Sequence, residues 1–434
     1  MALRRFQRKH QNLTAGSILN DSAKIVNLDE GYYIFRQLRT SPPYLEKKKK
    51  DVFAMIRQLG MPSLFMSLSA ADTHWPDLLI TLGKLVDNKT YTKEDIENMP
   101  SQEKFRLVQS DPVTCCRFFD NRYNSFFKLV LNDPSMPLGE LVDFFIRVEF
   151  QHRGSPHVHI ILWIKGAPVY GIDSIEKVIE FIDKYCSCSA KVREEIKKYL
   201  QMQIHKHSKS CRSKPQEECR FGYPIPPMPR TMILEPLNDE DKATYQEKYK
   251  TIAKTLETFD TDVTLSFEEF LTKIEMTEED YIKAVRTSVK RAKVFLVREP
   301  NEIWINSYMK GMIDCWQANH DIQAIIDCYQ VATYVVSYMS KSAKGMSALM
   351  AQAAKEARDG NEDLRNSVRH IGSRFLNACE VSAQEACYLA LQLPITRASR
   401  EVKIINTSPI EERTHVLKDR TKLEDMDPDS TDVE

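Results

Sequence analysis

The sequence predicts an α+β protein in which an antiparallel sheet is flanked by helices. Apolar and polar residues alternate in two neighbouring segments, 144–151 and 157–163, and the turn sequence HRGSP between them predicts a β-hairpin. Shorter strands are predicted at 64–69, 294–297 and 322–326. Apolar residues with helical spacing occupy much of the remainder, namely 51–59, most of 76–132, 174–204, 241–259, 278–290, 334–341 and 346–389.

The composition agrees with this fold class and excludes others. Only 13 glycines accompany 61 acidic and 61 basic residues, which favours helices and excludes a collagen-like or wholly disordered chain. At 434 residues the chain exceeds the ~250 residues at which single cores stop growing, so two or more packed units are expected. The formal net charge of +0 gives no general attraction to nucleic acid, so any polyanion site has to be built locally.

The chain has no stretch of about 18 apolar residues, and its first residues lack the apolar segment of a signal peptide. We therefore expect an intracellular, soluble protein that does not contact a membrane. In that setting the ten cysteines are expected to be reduced thiols or metal ligands and not disulfides.

Two histidines on the second strand of the hairpin form the first candidate site. Because side chains alternate along a strand, His157 and His159 point to one side, whereas Val158 points to the core. A hairpin symmetric about Gly154 would place Glu149 opposite His159, within reach of the same metal ion. The alternative is a pair of half-exposed histidines that bind nothing.

A second candidate site lies in the segment TYVVSYMSK. Tyr334, Tyr338 and Lys341 are spaced by four and three residues, so they share one face of a predicted helix. They are either packing residues of an amphipathic helix or an array of nucleophiles. A tyrosine phenol, with a pKa of about 10, attacks a phosphodiester only with help. A metal ion held by the histidines would polarise the phosphate, and the lysine would offset developing negative charge.

These two segments resemble one family of transposon proteins. EFQHRGSPHVHIILW together with YVVSYMSK is similar to the replication-initiator domain of Helitron rolling-circle transposons, a two-tyrosine group of HUH endonucleases whose domain is also called the Helitron helicase-like domain. Further similar stretches begin at Ser41, Cys219, Arg298 and Val381, so the resemblance extends over about residues 35–415.

The resemblance implies a specific chemistry. The antiparallel sheet would be of HUH-endonuclease type, with His157 and His159 as metal ligands and Tyr334 and Tyr338 as nucleophiles. By a looser analogy, Glu149, eight residues before His157, matches the spacing of the third metal ligand in some viral replication initiators. The implied activity is metal-dependent nicking of single-stranded DNA and strand transfer through a 5′-phosphotyrosine, with Mg²⁺ or Mn²⁺ at the catalytic site. Single-stranded DNA is the implied partner, and the nucleus is the expected location.

The sequence departs from the family pattern in two respects. Ser337 stands where Helitrons commonly have a lysine, although Lys341 remains available to assist the second tyrosine. The family normally continues into a helicase, but no G-x-x-x-x-G-K-[ST] phosphate loop occurs here. ATP-driven unwinding is therefore not expected from this chain.

A segment rich in cysteine and histidine is the third candidate site. Six residues able to bind zinc occur between positions 186 and 219, and the family-like subset is His205, His207, Cys211 and Cys219. A Pro- and Lys-rich loop with few apolar residues needs something to order it, which favours structural zinc. The alternative is a cluster of reduced, partly buried thiols.

The expected domain plan combines these observations. It has a basic N-terminal segment (1–34), an HUH-like domain (35–345) with a Cys/His-rich insert (186–230), a helical extension (346–415) and an acidic disordered tail (416–434).

Two other functions stay open from the sequence. The chain is alternatively a catalytically inactive or domesticated Helitron-derived DNA-binding fragment, or a histidine-based phosphohydrolase. Ile161 counts against the phosphohydrolase, because it breaks the H-x-H-x-H pattern. The residues considered as DNA contacts, each with an ordinary structural role as its alternative, are Trp75, Arg117, Arg122, Arg286 and Arg291.

Overall fold

The computed structural model describes residues 5–7, 14–16, 39, 41–150, 154–208, 211–212, 218–237, 242–327, 381–403, 405, 407, 409, 414–416 and 420–432. The chain divides into two compact units. The first consists of Met1–Gln58, Ala332–Val381 and Arg400–Glu434, and the second of Leu59–Val331 and Ser382–Ser399.

The first unit contains a two-stranded sheet and two helices among its described residues. Strand β1 (Arg5–Gln7) pairs antiparallel with β9 (Thr414–Val416), and helix α1 (Pro42–Leu59) ends where Gly60 adopts a left-handed φ of 79°. The acidic segment 416–434, for which the composition predicts disorder, contains the short helix α13 (Arg420–Glu424).

The second unit is built on a five-stranded antiparallel sheet. In spatial order its strands are β7 (His320–Ala324), β2 (Leu64–Ser69), β4 (Pro156–Ile164), β3 (Leu141–Phe150) and β8 (Thr396–Ala398). The hairpin of β3 and β4 therefore lies inside the sheet. Strand β8 comes from a segment that the sequence assigned to a helical extension; its three residues are too few for a periodic pattern.

Helices and one small sheet complete this unit. The small sheet pairs β5 (Met232–Leu234) with β6 (Lys293–Phe295). The helices are α2 (Pro76–Val86), α3 (Lys93–Asn98), α4 (Ser101–Ser110), α5 (Pro112–Phe126), α6 (Ile175–Tyr185), α7 (Lys197–Leu200), α8 (Lys242–Glu257), α9 (Phe267–Lys273), α10 (Glu278–Thr287), α11 (Ile313–Trp316) and α12 (Ala383–Ala390). Six of these helices have an N-cap residue whose side-chain oxygen accepts a hydrogen bond from a backbone N–H of the first turn. The N-cap residues are Thr92, Asp111, Ser174, Ser266, Thr277 and Ser382.

One face of the five-stranded sheet forms the main core. Val158 and Ile160 of β4 are fully buried there. Apolar side chains of α2, α5 and α11 cover this face, among them Leu79, Phe119 and Trp316. Because strand residues alternate, the intervening residues of β2, β3 and β4 face the other side of the sheet.

Helices α8, α9 and α10 pack with β5 and β6 around a second apolar cluster, which contains Phe270 and Tyr281. The sequence predicts α8 and α10, but α9 spans only seven residues and gives no periodic signal. The predicted helix 174–204 is confirmed for Ile175–Tyr185 and, as short helical segments, for Glu194–Ile196, Lys197–Leu200 and Gln201–Gln203, but it is interrupted directly after Tyr185. There the chain becomes extended, and Ser187 and Tyr308 exchange two backbone hydrogen bonds of 2.9 and 2.7 Å.

The predicted hairpin, the strand 64–69 and the helical region 76–132 are confirmed, and so is the α+β class. The ends of the hairpin strands differ from prediction by up to three residues. Among the helices that the structure describes, none combines the length and the apolar composition needed to cross a bilayer.

Candidate functional site

The second face of the central sheet carries most of its polar side chains. Strand register aligns two rows of residues on this face: Asp321, Ser67, His159 and Arg147 in one, and Ser69, His157 and Glu149 in the other. Residues paired across neighbouring strands point to the same side, so all seven side chains share this face. We call Glu149, His157 and His159 the sheet cluster.

The register of the hairpin differs from the predicted one. Glu149 lies opposite His157, whereas symmetry about Gly154 predicted that it lies opposite His159. The pairing is slid by two residues because Gly154, with a φ of 94°, lies on the β4 side of the turn and not at its centre. A two-residue slide keeps every side chain on its predicted face.

Glu149 nevertheless reaches His159 diagonally across the two strands. Its Oε2 lies 3.1 Å from Nε2 of His159, whose side chain is buried and stacks at 6.0 Å on the ring of Phe65. Two neighbouring ligands of one octahedral ion with bonds of about 2.1 Å are also about 3 Å apart. The two groups are therefore placed either to hydrogen-bond each other or to share an ion.

Ser69 orients the other histidine. Its Oγ lies 2.9 Å from Nδ1 of His157, and the imidazole rings of His157 and His159 are 4.5 Å apart. A hydrogen bond at one ring nitrogen fixes the ring and its tautomer, as the outer partners of metal-binding histidines do. Sequence reasoning missed Ser69, although the alternation of Ser67 and Ser69 in LFMSLS marks the polar face.

Two further carboxyl groups border this face. Asp321 lies in the same row as His159, and burial raises the pKa of its carboxyl to about 7. Glu385 lies on α12, where burial and the charge of Glu149 raise the pKa of its carboxyl. Both come from segments far from the hairpin in sequence, so no local pattern predicts their position.

The paired tyrosines fall outside the residues that the structure describes. Tyr334, Tyr338 and Lys341 all lie within the segment 328–380. Their convergence with the histidines in one cleft stays a prediction.

Four side chains of the predicted insert meet in what we call the Cys/His cluster. His205, His207, Cys211 and Cys219 offer ligand atoms that all lie within 4.8 Å of one another and could hold a metal ion. His205 and His207 follow the short 3-10 helix Gln201–Gln203 in irregular backbone, while both cysteines are buried.

The spacing within the Cys/His cluster suits a tetrahedral ion. Nε2 of His205 lies 3.3 Å from Nδ1 of His207, and each of these nitrogens lies 3.5 Å from the sulfur of one cysteine. Zinc bonds of about 2.1 Å to nitrogen and about 2.3 Å to sulfur give tetrahedral nitrogen–nitrogen and nitrogen–sulfur separations of about 3.4 and 3.6 Å. These three separations are thus close to those that tetrahedral zinc requires, and all ligand atoms lie within 4.8 Å of one another.

The protonation states of the Cys/His cluster also favour metal binding. Burial lowers the pKa of both His205 and His207. Desolvation opposes ionisation of the Cys211 thiol, but its pKa is lowered because the backbone N–H of Ser208 donates a hydrogen bond to its sulfur. Neutral imidazoles and thiolates are the forms that bind zinc.

Aromatic rings support this cluster from behind. The ring of Tyr223 stacks on that of His205 at 4.2 Å, and the ring of Trp304 meets His207 edge-on at 5.2 Å. The other two cysteines of the segment lie elsewhere, since Cys186 is part of the main core and the Cys188 thiol donates to the backbone oxygen of Val297 at 3.1 Å.

Several residues considered as DNA contacts have structural roles instead. Trp75 is buried, and the guanidinium of Arg122 lies 4.9 Å from its ring centre while donating to the carbonyl oxygen of Trp316. Arg286 donates to the carbonyl oxygen of Glu235 at 2.9 Å. These contacts hold loops and helix ends in place.

One comparison with known proteins bears on this geometry. Residues 3–162 match the family described as "Helitron helicase-like domain at N-terminus". This stretch is a Helitron-related domain. No curated protein matched the chain. The Helitron-related domain includes the sheet cluster, whereas the Cys/His cluster and the tyrosines follow it in sequence. The match suggests a transposon-related function and an interaction with DNA.

Proposed function

We propose that the chain nicks single-stranded DNA in a metal-dependent reaction and transfers the strand through a 5′-phosphotyrosine, as in Helitron rolling-circle transposition. One observation carries the proposal: inside the Helitron-related domain, Oε2 of Glu149 lies 3.1 Å from Nε2 of His159, on the same sheet face as His157. The antiparallel sheet with its histidines inside the fold is in keeping with an HUH endonuclease.

The sheet cluster would hold the catalytic ion. Two imidazoles and one carboxylate suit Mn²⁺ by ligand preference, and Mg²⁺ is the usual ion of nucleases. When bound, the ion would polarise the scissile phosphate and offset its negative charge. The chain's own contribution is to hold the ligands on paired strands and, through Ser69, to fix the orientation of His157.

Tyr334 and Tyr338 would act as the nucleophiles. A tyrosine oxygen bonds to phosphorus, the bond between phosphorus and the 3′ oxygen breaks, and that oxygen takes up the proton which the phenol lost. The products are a free 3′ hydroxyl and a 5′-phosphotyrosine, with Lys341 offsetting charge during the attack. Two tyrosines allow two successive transfers, and the phosphotyrosine retains the energy needed to rejoin the strand.

A covalent-adduct assay tests this function. Full-length protein is incubated with single-stranded oligonucleotides of varied sequence, labelled at the 3′ end, with Mg²⁺ or Mn²⁺, and adducts are separated on a denaturing gel. We expect a labelled adduct that requires the metal, that persists in one single Tyr→Phe variant and that disappears when Tyr334 and Tyr338 are both changed to Phe. Adducts formed by the double variant would overturn the tyrosine assignment. No adduct on any sequence would favour the inactive, DNA-binding fragment.

We further propose that the Cys/His cluster binds structural zinc. The spacing of its ligand atoms supports a tetrahedral ion, and two thiolates favour zinc over the harder ions proposed for the sheet cluster. Metal analysis of the purified protein should find one zinc per chain that remains after dialysis against Mg²⁺.

A further inference from the structure

The turn next to the last ligand of the Cys/His cluster exposes an aromatic ring together with a cation. The backbone N–H of Gly222 donates to the carbonyl oxygen of Cys219 at 2.8 Å, which closes a β-turn with Arg220 and Phe221 at its tip. The Phe221 side chain is 46 % exposed, although large apolar side chains are usually buried. The guanidinium of Arg220 lies 4.6 Å from the centre of its ring.

The chain fixes this tip from two sides. Arg220 donates its backbone N–H to the carbonyl oxygen of Cys211 at 3.1 Å, so the turn is attached to two predicted metal ligands. The ring of Phe221 meets the ring of His205 edge-on at 5.9 Å. The tip is therefore held by the cluster, and a side chain displayed there loses little entropy when it binds a partner.

The segment is also anchored to the central sheet. The Gln203 side chain donates to the carbonyl oxygen of Ala318 at 3.1 Å and accepts from the backbone N–H of His320, the first residue of β7. His205 donates its backbone N–H to Trp304 at 2.7 Å. The segment that carries His205, on which the Phe221 ring packs, is thus hydrogen-bonded to the sheet that carries His157 and His159.

The charge around the tip selects an anionic partner. In the described parts of 204–223 three side chains are basic, Lys206, Arg212 and Arg220, and one is acidic, Glu218. Arg212 pairs with Glu257, whereas Arg220 and Lys206 are exposed and have no carboxylate within 4.0 Å among the described residues. An exposed ring next to a guanidinium that no described carboxylate engages is the combination that holds single strands, by base stacking and phosphate contact.

We propose that the turn Cys219–Gly222 is a binding site for single-stranded DNA, in which the Phe221 ring stacks on a base and the Arg220 guanidinium binds a neighbouring phosphate. A duplex does not fit this site, because its bases are already stacked on one another. The choice of DNA as the strand rests on the proposed function, but binding itself needs neither the tyrosines nor the catalytic ion.

Equilibrium binding of the zinc-loaded, full-length protein to a labelled oligo(dT) tests the site, with no Mg²⁺ or Mn²⁺ added so that nicking plays no part. Phe221→Leu keeps an apolar side chain against His205 and removes the ring face; it should weaken binding about ten-fold. Phe221→Tyr should bind like the original protein. Arg220→Ala should reduce the slope of log K against log salt by about 0.7, one phosphate contact, while Phe221→Leu leaves this slope unchanged.

The chain offers a matched control. Phe105 is 54 % exposed and also adjoins an arginine, but Arg106 is engaged by Glu103 and Asp87. Phe105→Leu should therefore leave binding unchanged.

Zinc content is measured for every variant, so that loss of zinc from the Cys/His cluster is recognised. Zinc-loaded Phe221→Leu protein that binds as tightly as the original, or a Phe105→Leu variant that loses as much, would overturn the site. The proposal would also be overturned if Phe221→Leu lowered the affinity for single-stranded RNA and left the affinity for oligo(dT) unchanged. A protein that binds through this turn but never forms adducts would contradict only the nicking function.

Discussion

The sheet cluster and the Cys/His cluster differ in how the chain holds their side chains. Glu149, His157 and His159 lie on paired strands, whose backbone hydrogen bonds fix them without any ligand. His205 and Cys219, by contrast, lie in irregular backbone between short turns. The first cluster is positioned by the fold, whereas the zinc proposed for the second would help to order the chain around it.

The two metal ions would therefore have different roles. A carboxylate and two imidazoles on a finished sheet suit an ion that acts on a substrate, because removing the ion leaves the strands paired. Two thiolates and two imidazoles in irregular backbone suit an ion whose binding energy orders the chain. Changes in the sheet cluster should therefore lower activity, and changes in the Cys/His cluster should lower stability.

The largest expected effect is on activity, from His157→Ala. Loss of this ligand should lower adduct formation at least about a thousand-fold, because metal stabilisation of the transition state contributes several kcal/mol. The melting temperature should change little, since the strand pairing does not depend on this side chain. A gel assay of adduct formation and a thermal unfolding curve measure the two quantities.

His74→Ala is the matched control for this variant. His74 is an exposed histidine of the same unit, in the loop that follows β2. Its replacement should change neither quantity. If His157→Ala also unfolds the protein, the sheet cluster has a structural role, and the proposed difference between the two clusters is wrong.

The next effect is on stability, from Cys219→Ser. Without this thiolate the Cys/His cluster should lose its zinc, and the melting temperature should fall by about 2–4 °C for each kcal/mol of lost stability. Zinc release measured with a chromogenic chelator and the thermal unfolding curve report the change. Cys315→Ser, at an exposed cysteine outside the cluster, should retain zinc and stability. Equal zinc content in the two variants would contradict the assignment.

A smaller effect is expected from Ser69→Ala. The change removes the 2.9 Å contact that orients His157, and the loss of an outer partner typically costs 10- to 100-fold in metal affinity or activity. The apparent affinity for Mn²⁺, obtained from the metal dependence of adduct formation, measures it. Ser67→Ala, two residues away on the same strand face, lacks this contact and should change the affinity less.

Much of the second unit could be predicted because its signals are local. The alternation in β3 and β4 predicted the hairpin and the face of each histidine, and helical spacing predicted α8 and α10. The four members of the Cys/His cluster lie within fifteen positions of one another, so their spacing alone indicated them.

The rest depends on contacts between distant segments. The exact register of the hairpin was wrong because a left-handed glycine off the turn centre slides the pairing without changing the pattern. Asp321 and Glu385 reach the polar face from strands and helices that follow much later in the chain, and β8 is too short to be recognised. No local sequence pattern predicts contacts between residues that are so far apart in the chain.

Asp321 gives the smallest expected effect and a test of the polar face itself. Its pKa is raised by burial to about 7 from an ordinary value near 4, so between these values the folded protein binds more protons than the unfolded chain. Stability therefore decreases as the pH rises from about 4 to 7, and at pH 8 the protein carries the full cost of a buried charge. Asp321→Asn removes the charge and keeps the shape.

The variant should accordingly be more stable than the original protein at pH 8, by roughly 1–2 kcal/mol, since a buried amide still costs part of what the buried charge did. At pH 5.5 the difference should shrink, because Asp321 is then mostly neutral in the folded protein. Urea unfolding at the two pH values measures it. If the difference in stability between the two proteins were the same at both pH values, this carboxyl would ionise at its ordinary pKa. Water would then reach the polar face of the sheet around Asp321.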